Sequence, residues 1–277
     1  MNPIIAALQM NSGDDVARNL ATAARLVGQA AEQGVSLAIL PENFAFMGAR
    51  ERDKLAHAEA DGAGPIQDAL AQAAQRHRIW LVAGTVPLAL ADDPGRVAAA
   101  CLVYDASGAR AARYDKIHLF DVEVAGSGGA ERYRESASIA PGRWNPVVVA
   151  TPAGRLGLSV CYDLRFPELY RALAEREVDL LSVPAAFTAR TGEAHWELLL
   201  RARAVENQCH VIAPGQFGGH PGGRSTWGHS MVVGPWGEVL ACQAQGDAVV
   251  AAEVDRARAT ELRASFPVLR HRHLGAH

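Results

Sequence analysis

The chain has 277 residues, 49% of them hydrophobic, and a formal net charge of −3. That is enough apolar material for one large core, and length alone permits one or two domains. Lysines and arginines are interspersed with acids, so no basic block points to a nucleic-acid or membrane-surface partner.

The N-terminal MNPIIAALQMNSGDD lacks a basic segment leading into a long apolar stretch, and no apolar run reaches the roughly 18 residues of a membrane helix. The expectation is a soluble, cytoplasmic protein. Cys101, Cys161, Cys209 and Cys242 form no C-x-x-C pair and are too scattered for a disulfide framework.

In chain order, short apolar runs predict strands over Ile4–Leu8, Leu37–Leu40, Trp80–Gly84, Ala98–Tyr104, Val147–Ala150, Leu156–Val160, Leu180–Val183, Val211–Ala213, Met231–Val233 and Val249–Val254. Amphipathic, alanine-rich stretches predict helices over Asp15–Gln33, Ile66–Arg76, Pro167–Arg176, Glu193–Asn207 and Asp255–Ala264. In the first, Val16, Leu20, Ala23, Leu26, Val27 and Ala30 recur at helical spacing. Strands alternating with helices indicate an α/β protein. Glycines and charges in 121–136 and 215–226 predict surface loops; the second lacks the spacing of a phosphate-binding loop.

One internal echo stands out. QGVSLAILPENF (33–44) and REVDLLSVPAAF (176–187) each follow a predicted helix and end in Pro-x-x-Phe. Each helix is in turn preceded by an apolar strand, IIAAL or LGLSV. Two similar strand–helix–strand halves would suit two sheets packed face to face with helices outside.

Active sites of open α/β sheets gather past the carboxyl ends of strands. Glu42 follows VSLAILP, Lys116 follows the extended ARYD, and Cys161 follows LGLSV just before a predicted helix. Each alone is ordinary: buried cysteines are usually core and charged strand ends are usually solvated. Together they supply a base, a cation and a nucleophile.

The segments around them carry a resemblance. LPENF, YDKIHLFDVEV and VCYDLRFPELYRAL resemble the three signature blocks of the nitrilase (carbon–nitrogen hydrolase) superfamily. TGEAHWELLLRARAVENQ, STWGHSMVVGPWGEVLA and FPVLRHRH resemble its supporting blocks, so the likeness spans Ile4 to His273. It implies a four-layer α-β-β-α sandwich, a single carbon–nitrogen hydrolase domain over residues 1–277, no metal and no cofactor. It also implies a Glu42–Lys116–Cys161 triad and a homodimer or higher homo-oligomer.

The resemblance also implies a second glutamate that orients the lysine. Glu135 is the first candidate, with Glu131 and Glu123 as alternatives. Further candidates for contact with a small amide substrate are Tyr162, Arg165, Phe187 and His195. A salt bridge is an equally simple reading of Arg165, and packing or a helix-terminus role of His195 and Trp196. His229 is expected to bond within the core, His271, His273 and His277 to be solvated, and Cys101, Cys209 and Cys242 to be core.

Tyr162-Asp163 stands where nitrile-hydrolysing relatives carry Trp-Glu, which favours amides. The blocks HLFDVEV, CYDLRFPEL, AHWE and GHSMVV look like the Nit branch, which holds deaminated-glutathione amidases and the ω-amidases of 2-oxoglutaramate. GHSMVV with FDVE is nearer the former. Glu193 departs from the proline usual before Ala-His-Trp in both types. A catalytically silent scaffold and a thiol acyltransferase are the readings from other classes. The filled triad argues against the first. The second is disfavoured because such relatives usually have additional domains or membrane spans.

Overall fold

Side chains along Ile4–Gln9 go alternately to two destinations, as the two-residue period of a strand requires. In the computed structural model, which describes residues 2–126 and 129–273, Ile5 and Ala7 face a second sheet. Ala6 and Leu8 face helices. Leu37 and Ile39 against Ala38 and Leu40, and Cys101 and Val103 against Ala100 and Leu102, divide in the same way. Strands buried on both faces read as continuous apolar runs, which is why they were recognisable.

Two sheets result. The first runs in the order Ala248–Glu253, Ile4–Gln9, Val35–Ile39, Trp80–Ala89, Val97–Tyr104, Arg110–Asp115, with Ile139–Ala140 beside Val97–Tyr104. The second runs Val239–Gln243, Ser230–Val233, His210–Ala213, Leu180–Ser182, Gly154–Leu158, Val148–Thr151. In each, three parallel strands sit in the middle, with one antiparallel strand on one side and two on the other. The echo seen in the sequence is thus matched by equivalent strands: Val35–Ile39 and Leu180–Ser182 each hold the middle parallel position.

Helices α1 (Val16–Glu32) and α2 (Pro65–His77) cover the first sheet, and α3 (Pro167–Ala174) and α4 (Ala189–Asn207) pack on the second. The order is helix, sheet, sheet, helix: the four-layer α-β-β-α sandwich expected. Asp15 caps α1 by accepting from the Arg18 N–H at 3.0 Å, and Ala23, Leu26, Val27 and Ala30 form its buried stripe. The last helix, α5 (Arg256–Ser265), follows the final strand.

Several expectations need correcting. The predicted loop 121–136 contains a two-stranded antiparallel hairpin, Asp121–Gly126 with Gly129–Arg134. The predicted loop 215–226 contains another, Phe217–Gly219 with Ser225–Trp227. Both are rich in glycine, and in the first the brief alternation Asp121-Val122-Glu123-Val124 is outweighed by the glycines and charges that follow it. Helix α4 starts at Ala189, four residues before the predicted Glu193. Thr188 is its cap, and Gly192 lets it approach Trp227, where an added Cβ would lie 2.2 Å from the Trp227 Cβ. Glu193, His195 and Trp196 therefore lie inside the helix, and no N-terminal role remains for them. Cys101 and Cys209 are core, but Cys242 is exposed on the outer strand Val239–Gln243.

His229 is half-buried, stacked on Trp227 with its Nδ1 3.0 Å from the Trp227 carbonyl; His271 and His273 are exposed. His277 and the side chain of Glu131 lie outside the described residues. Among the described residues no helix is long and apolar enough to cross a membrane.

Candidate active site

Four segments deliver the candidate residues to one place. Glu42 lies three residues past Val35–Ile39, Lys116 directly follows Arg110–Asp115, and Cys161 lies three residues past Gly154–Leu158. Glu135 opens a short 3-10 turn, Glu135–Ala137, after the 121–134 hairpin. Lys116 is 1% exposed, and Glu42, Glu135 and Cys161 are also buried.

Lys116 Nζ donates to Glu42 Oε1 at 2.8 Å and to both Glu135 oxygens at 2.8 and 2.9 Å. The backbone also reaches each carboxylate: the Ala186 N–H donates to Glu42 Oε2 at 3.0 Å, and the Phe120 N–H to Glu135 Oε2 at 2.6 Å. The choice among Glu135, Glu131 and Glu123 is thereby reduced, since Glu123 is exposed and pairs with Arg132 at 2.9 Å.

An isolated buried ammonium would lose its proton. Burial does push Lys116 down, but the carboxylates of Glu135 and Glu42 outweigh it and hold the ammonium well above the ordinary lysine value. Burial likewise pushes the Glu42 carboxyl up, yet Lys116 and hydrogen bonds from Cys161 and Lys116 carry it below its ordinary value. The Cys161 thiol is driven well above its ordinary value by burial and by the adjacent Glu42 charge. The resting combination is therefore a neutral thiol donating to an ionised glutamate, beside a cation.

Cys161 has φ +48°, a left-handed conformation that costs a residue with a Cβ about 1 kcal/mol or more. Its N–H donates to the Pro184 carbonyl at 2.9 Å, and the chain then turns at once into the 3-10 helix Cys161–Arg165. A thiol placed on a strained strand-to-helix turn projects into the cleft and away from the sheet.

That cleft encloses about 540 Å³ including its open mouth. Phe120, Tyr133, Tyr162 and Phe187 supply apolar walls, and Lys54, Arg165, Arg224 and Glu51 supply charge. Tyr162, Arg165 and Phe187 are among its lining residues. His195 is not: it is exposed on α4, and its Nδ1 lies 3.2 Å from Arg165 Nη1. Arg165 extends over the rings of Phe187 and Tyr162, 5.3 and 5.8 Å from their centroids. Among the described residues no group of three or more His, Cys, Asp or Glu side chains could hold a metal ion.

Sequence reasoning missed two layers. Asp163 is fully buried behind the nucleophile turn, and Glu51, Lys54 and Arg224 form an ion-paired rim. Asp163 was legible only as part of the Cys-Tyr-Asp block. The rim residues come from segments 173 residues apart with no local signal joining them.

Comparison with known proteins identifies the family. The family description "carbon-nitrogen hydrolase" matches residues 4–264. Deaminated glutathione amidase of Yersinia enterocolitica is 41% identical over 270 residues, covering 98% of this chain and 93% of that one. The enzyme of the same name from Homo sapiens is 41% identical over 272 residues, covering 98% and 82%. The crystal structure of the C. elegans NitFhit protein superposes with a TM-score of 0.89 at 39% identity, over 99% of this chain and 66% of that one. With a family match over almost its whole length and relatives at this level of identity, the chain belongs to the carbon–nitrogen hydrolase family.

Proposed function

We propose that this chain hydrolyses deaminated glutathione to 2-oxoglutarate and cysteinylglycine through a Cys161 thioester. That it is an amidase follows from its family and from relatives named as amidases. The observation that carries the residue roles is the buried contact set in which Lys116 bridges Glu42 and Glu135 beside the Cys161 thiol.

Because the thiol is held protonated, attack and proton transfer go together: Sγ bonds to the amide carbon as its proton passes to Glu42. The carbonyl oxygen becomes an oxyanion facing the Lys116 ammonium. The Tyr162 N–H, in the first turn of a helix and so without an intrahelical acceptor, is the second donor. The carbon–nitrogen bond breaks as Glu42 returns the proton to the leaving nitrogen. Glu42 then takes a proton from water attacking the thioester, the carboxylic acid departs, and the thiol is restored. Glu135 contributes by fixing Lys116 with both oxygens.

The substrate is argued from the relatives' names and from the cations of the cleft. The acyl-side carboxylate of a 2-oxo acid suits Arg165, which has no carboxylate within ion-pairing distance among the described residues and lies over the rings of Tyr162 and Phe187. We read residues 1–277 as one domain acting in the cytoplasm, supported by four free cysteines, three of them buried. We expect the chain to assemble as a homodimer or higher homo-oligomer. The test of function is release of 2-oxoglutarate from deaminated glutathione by the purified chain, side by side with 2-oxoglutaramate. Turnover of 2-oxoglutaramate ten times better, or of neither, defeats this substrate assignment.

A further inference from the structure

Set aside Glu42, Lys116 and Glu135, and the charged residues lining the cleft are Lys54, Arg165, Arg224 and Glu51. Three cations face one carboxylate, leaving two positive charges for whatever enters. They are not grouped together. Arg165 belongs to the nucleophile's own turn, whereas Lys54 and Arg224 meet across Glu51 on a stretch of wall that Arg165 does not share. Lys54 Nζ is 3.4 Å from Glu51 Oε2, and Arg224 Nη2 bonds Glu51 Oε1. A recess of about 250 Å³ continues the cleft on that wall, lined by Lys54, Arg224, Glu51 and Asn43 but not by Arg165.

We propose that Lys54 and Arg224 form a second anion subsite, which takes the carboxylate at the far end of the leaving group. The preferred substrate is then a dianion with one carboxylate at each end of the scissile amide. This rests on the amidase reading above and specifies its substrate.

The leaving group belongs on this wall for a chemical reason. Its nitrogen must collect a proton from Glu42, and Lys54 is near enough to Glu42 for its charge to be felt there. Glu51 does not use up the pair. A guanidinium carries five N–H donors and an ammonium three, and one carboxylate can engage only part of that set. Shared between the two cations, Glu51 holds them in place at the rim while leaving one net positive charge. Arg224 is further fixed over the Tyr133 ring, 5.5 Å from its centroid. Gly222, φ +78°, seats the loop carrying Arg224 against Ala49, where an added Cβ would come within 2.5 Å of the Ala49 oxygen. A carboxylate docking here gains contacts that ammonia as leaving group cannot make, and remote contacts of that kind raise kcat/KM.

The experiment compares deaminated glutathione with the same compound whose glycine carboxylate is a carboxamide. For the unaltered protein, kcat/KM should favour the acid by tenfold or more. In Arg224→Gln and in Lys54→Met the ratio should fall toward one. A ratio of two rates on one preparation does not depend on the fraction folded, so a poorly folding variant still reports. Equal turnover of acid and carboxamide by the unaltered protein overturns the subsite while leaving the substrate reading intact. So does a tenfold preference that survives in both variants. Turnover of neither compound, with 2-oxoglutaramate still hydrolysed, overturns both.

Discussion

The Tyr114 hydroxyl donates to Asp163 Oδ2 at 2.7 Å, across 49 residues of sequence. Asp163 is fully buried and takes three further contacts: the Val160 N–H at 2.8 Å, the His118 N–H at 3.1 Å and His118 Nδ1 at 2.7 Å. One carboxylate therefore ties the segment on both sides of Lys116 to the turn that holds Cys161 in its left-handed conformation. Asp163→Asn removes the charge but keeps the size. It should cut kcat about tenfold or more per folded molecule with little change in KM. Asp163→Ala, which leaves several buried donors without an acceptor, should cost about 3–5 kcal/mol of stability. Thermal melts and steady-state kinetics separate the two effects. A folded Asp163→Asn protein with normal kcat would show that the link is structural only.

The protonation pattern predicts a flat pH profile. With Glu42 held below its ordinary value of 4.5, Lys116 above 10.5 and Cys161 above 9.0, none of the three changes charge between pH 5.5 and 8.5. The kcat/KM profile reports groups of the free enzyme, so it should vary by no more than about twofold across that range. An acid limb at an apparent pKa of about 6–7 would show that the essential base titrates well above the ordinary carboxylate value, and would overturn a Glu42 held ionised below it.

Lys116→Ala should be damaging twice over. Loss of an oxyanion donor typically costs about 10²–10³ in kcat. Glu42 and Glu135 would also be left buried without their shared cation, a loss of about 3–5 kcal/mol unless one of them protonates. Mass spectrometry of the variant mixed with substrate should show little acyl-enzyme on Cys161. Rapid, complete acylation would remove Lys116 from the oxyanion role.

Much of this was legible in the sequence, and the reason is physical. The central strands are buried on both faces, so Ile4–Gln9, Leu180–Ser182 and their neighbours stand out as apolar runs. The carboxyl ends of two such strands pointed to Glu42 and Cys161, whereas Lys116 follows the outer, part-exposed strand Arg110–Asp115 and was picked out only from the extended ARYD and its block. Glu135 was less sharply placed because it follows a glycine-rich hairpin whose length the sequence pattern did not define; the contacts with Lys116 and Phe120 distinguish it. The start of α4 was missed because its first turn, Ala-Arg-Thr-Gly, carries no apolar periodicity and is instead set by Thr188 and by packing on Trp227. His195 looked like a cleft residue from its block alone, but the helix turns it outward behind Arg165. The Glu51–Arg224 pair had no sequence signal at all, since nothing local couples two surface charges so far apart.

The placement of Glu42 depends on a residue that has no chemistry. Gly84, in the strand Trp80–Ala89, passes directly beneath the turn that carries the base. A Cβ there would lie 1.9 Å from the Pro41 oxygen and 2.7 Å from the Glu42 nitrogen. Both obstacles are backbone, so no rotamer change relieves the clash, and the Pro41–Glu42 segment must move. That segment is also held by the Gln216 side-chain amide, which donates to the Glu42 carbonyl at 3.1 Å, and by the Asn43 N–H on Thr85 Oγ1, beside Gly84, at 2.9 Å. A shift therefore breaks buried hydrogen bonds as well as displacing the carboxylate from Lys116 and Cys161. Gly84→Ala should destabilise the fold by about 1–3 kcal/mol, the usual range for overpacking. It should also lower kcat about a hundredfold, because small displacements of a positioned group are costly. The decisive measurement is kcat per folded molecule, taken by titrating reactive Cys161 and reading circular dichroism on the same sample. If the variant keeps full turnover per folded chain, the turn tolerates displacement and Glu42 does not need this position.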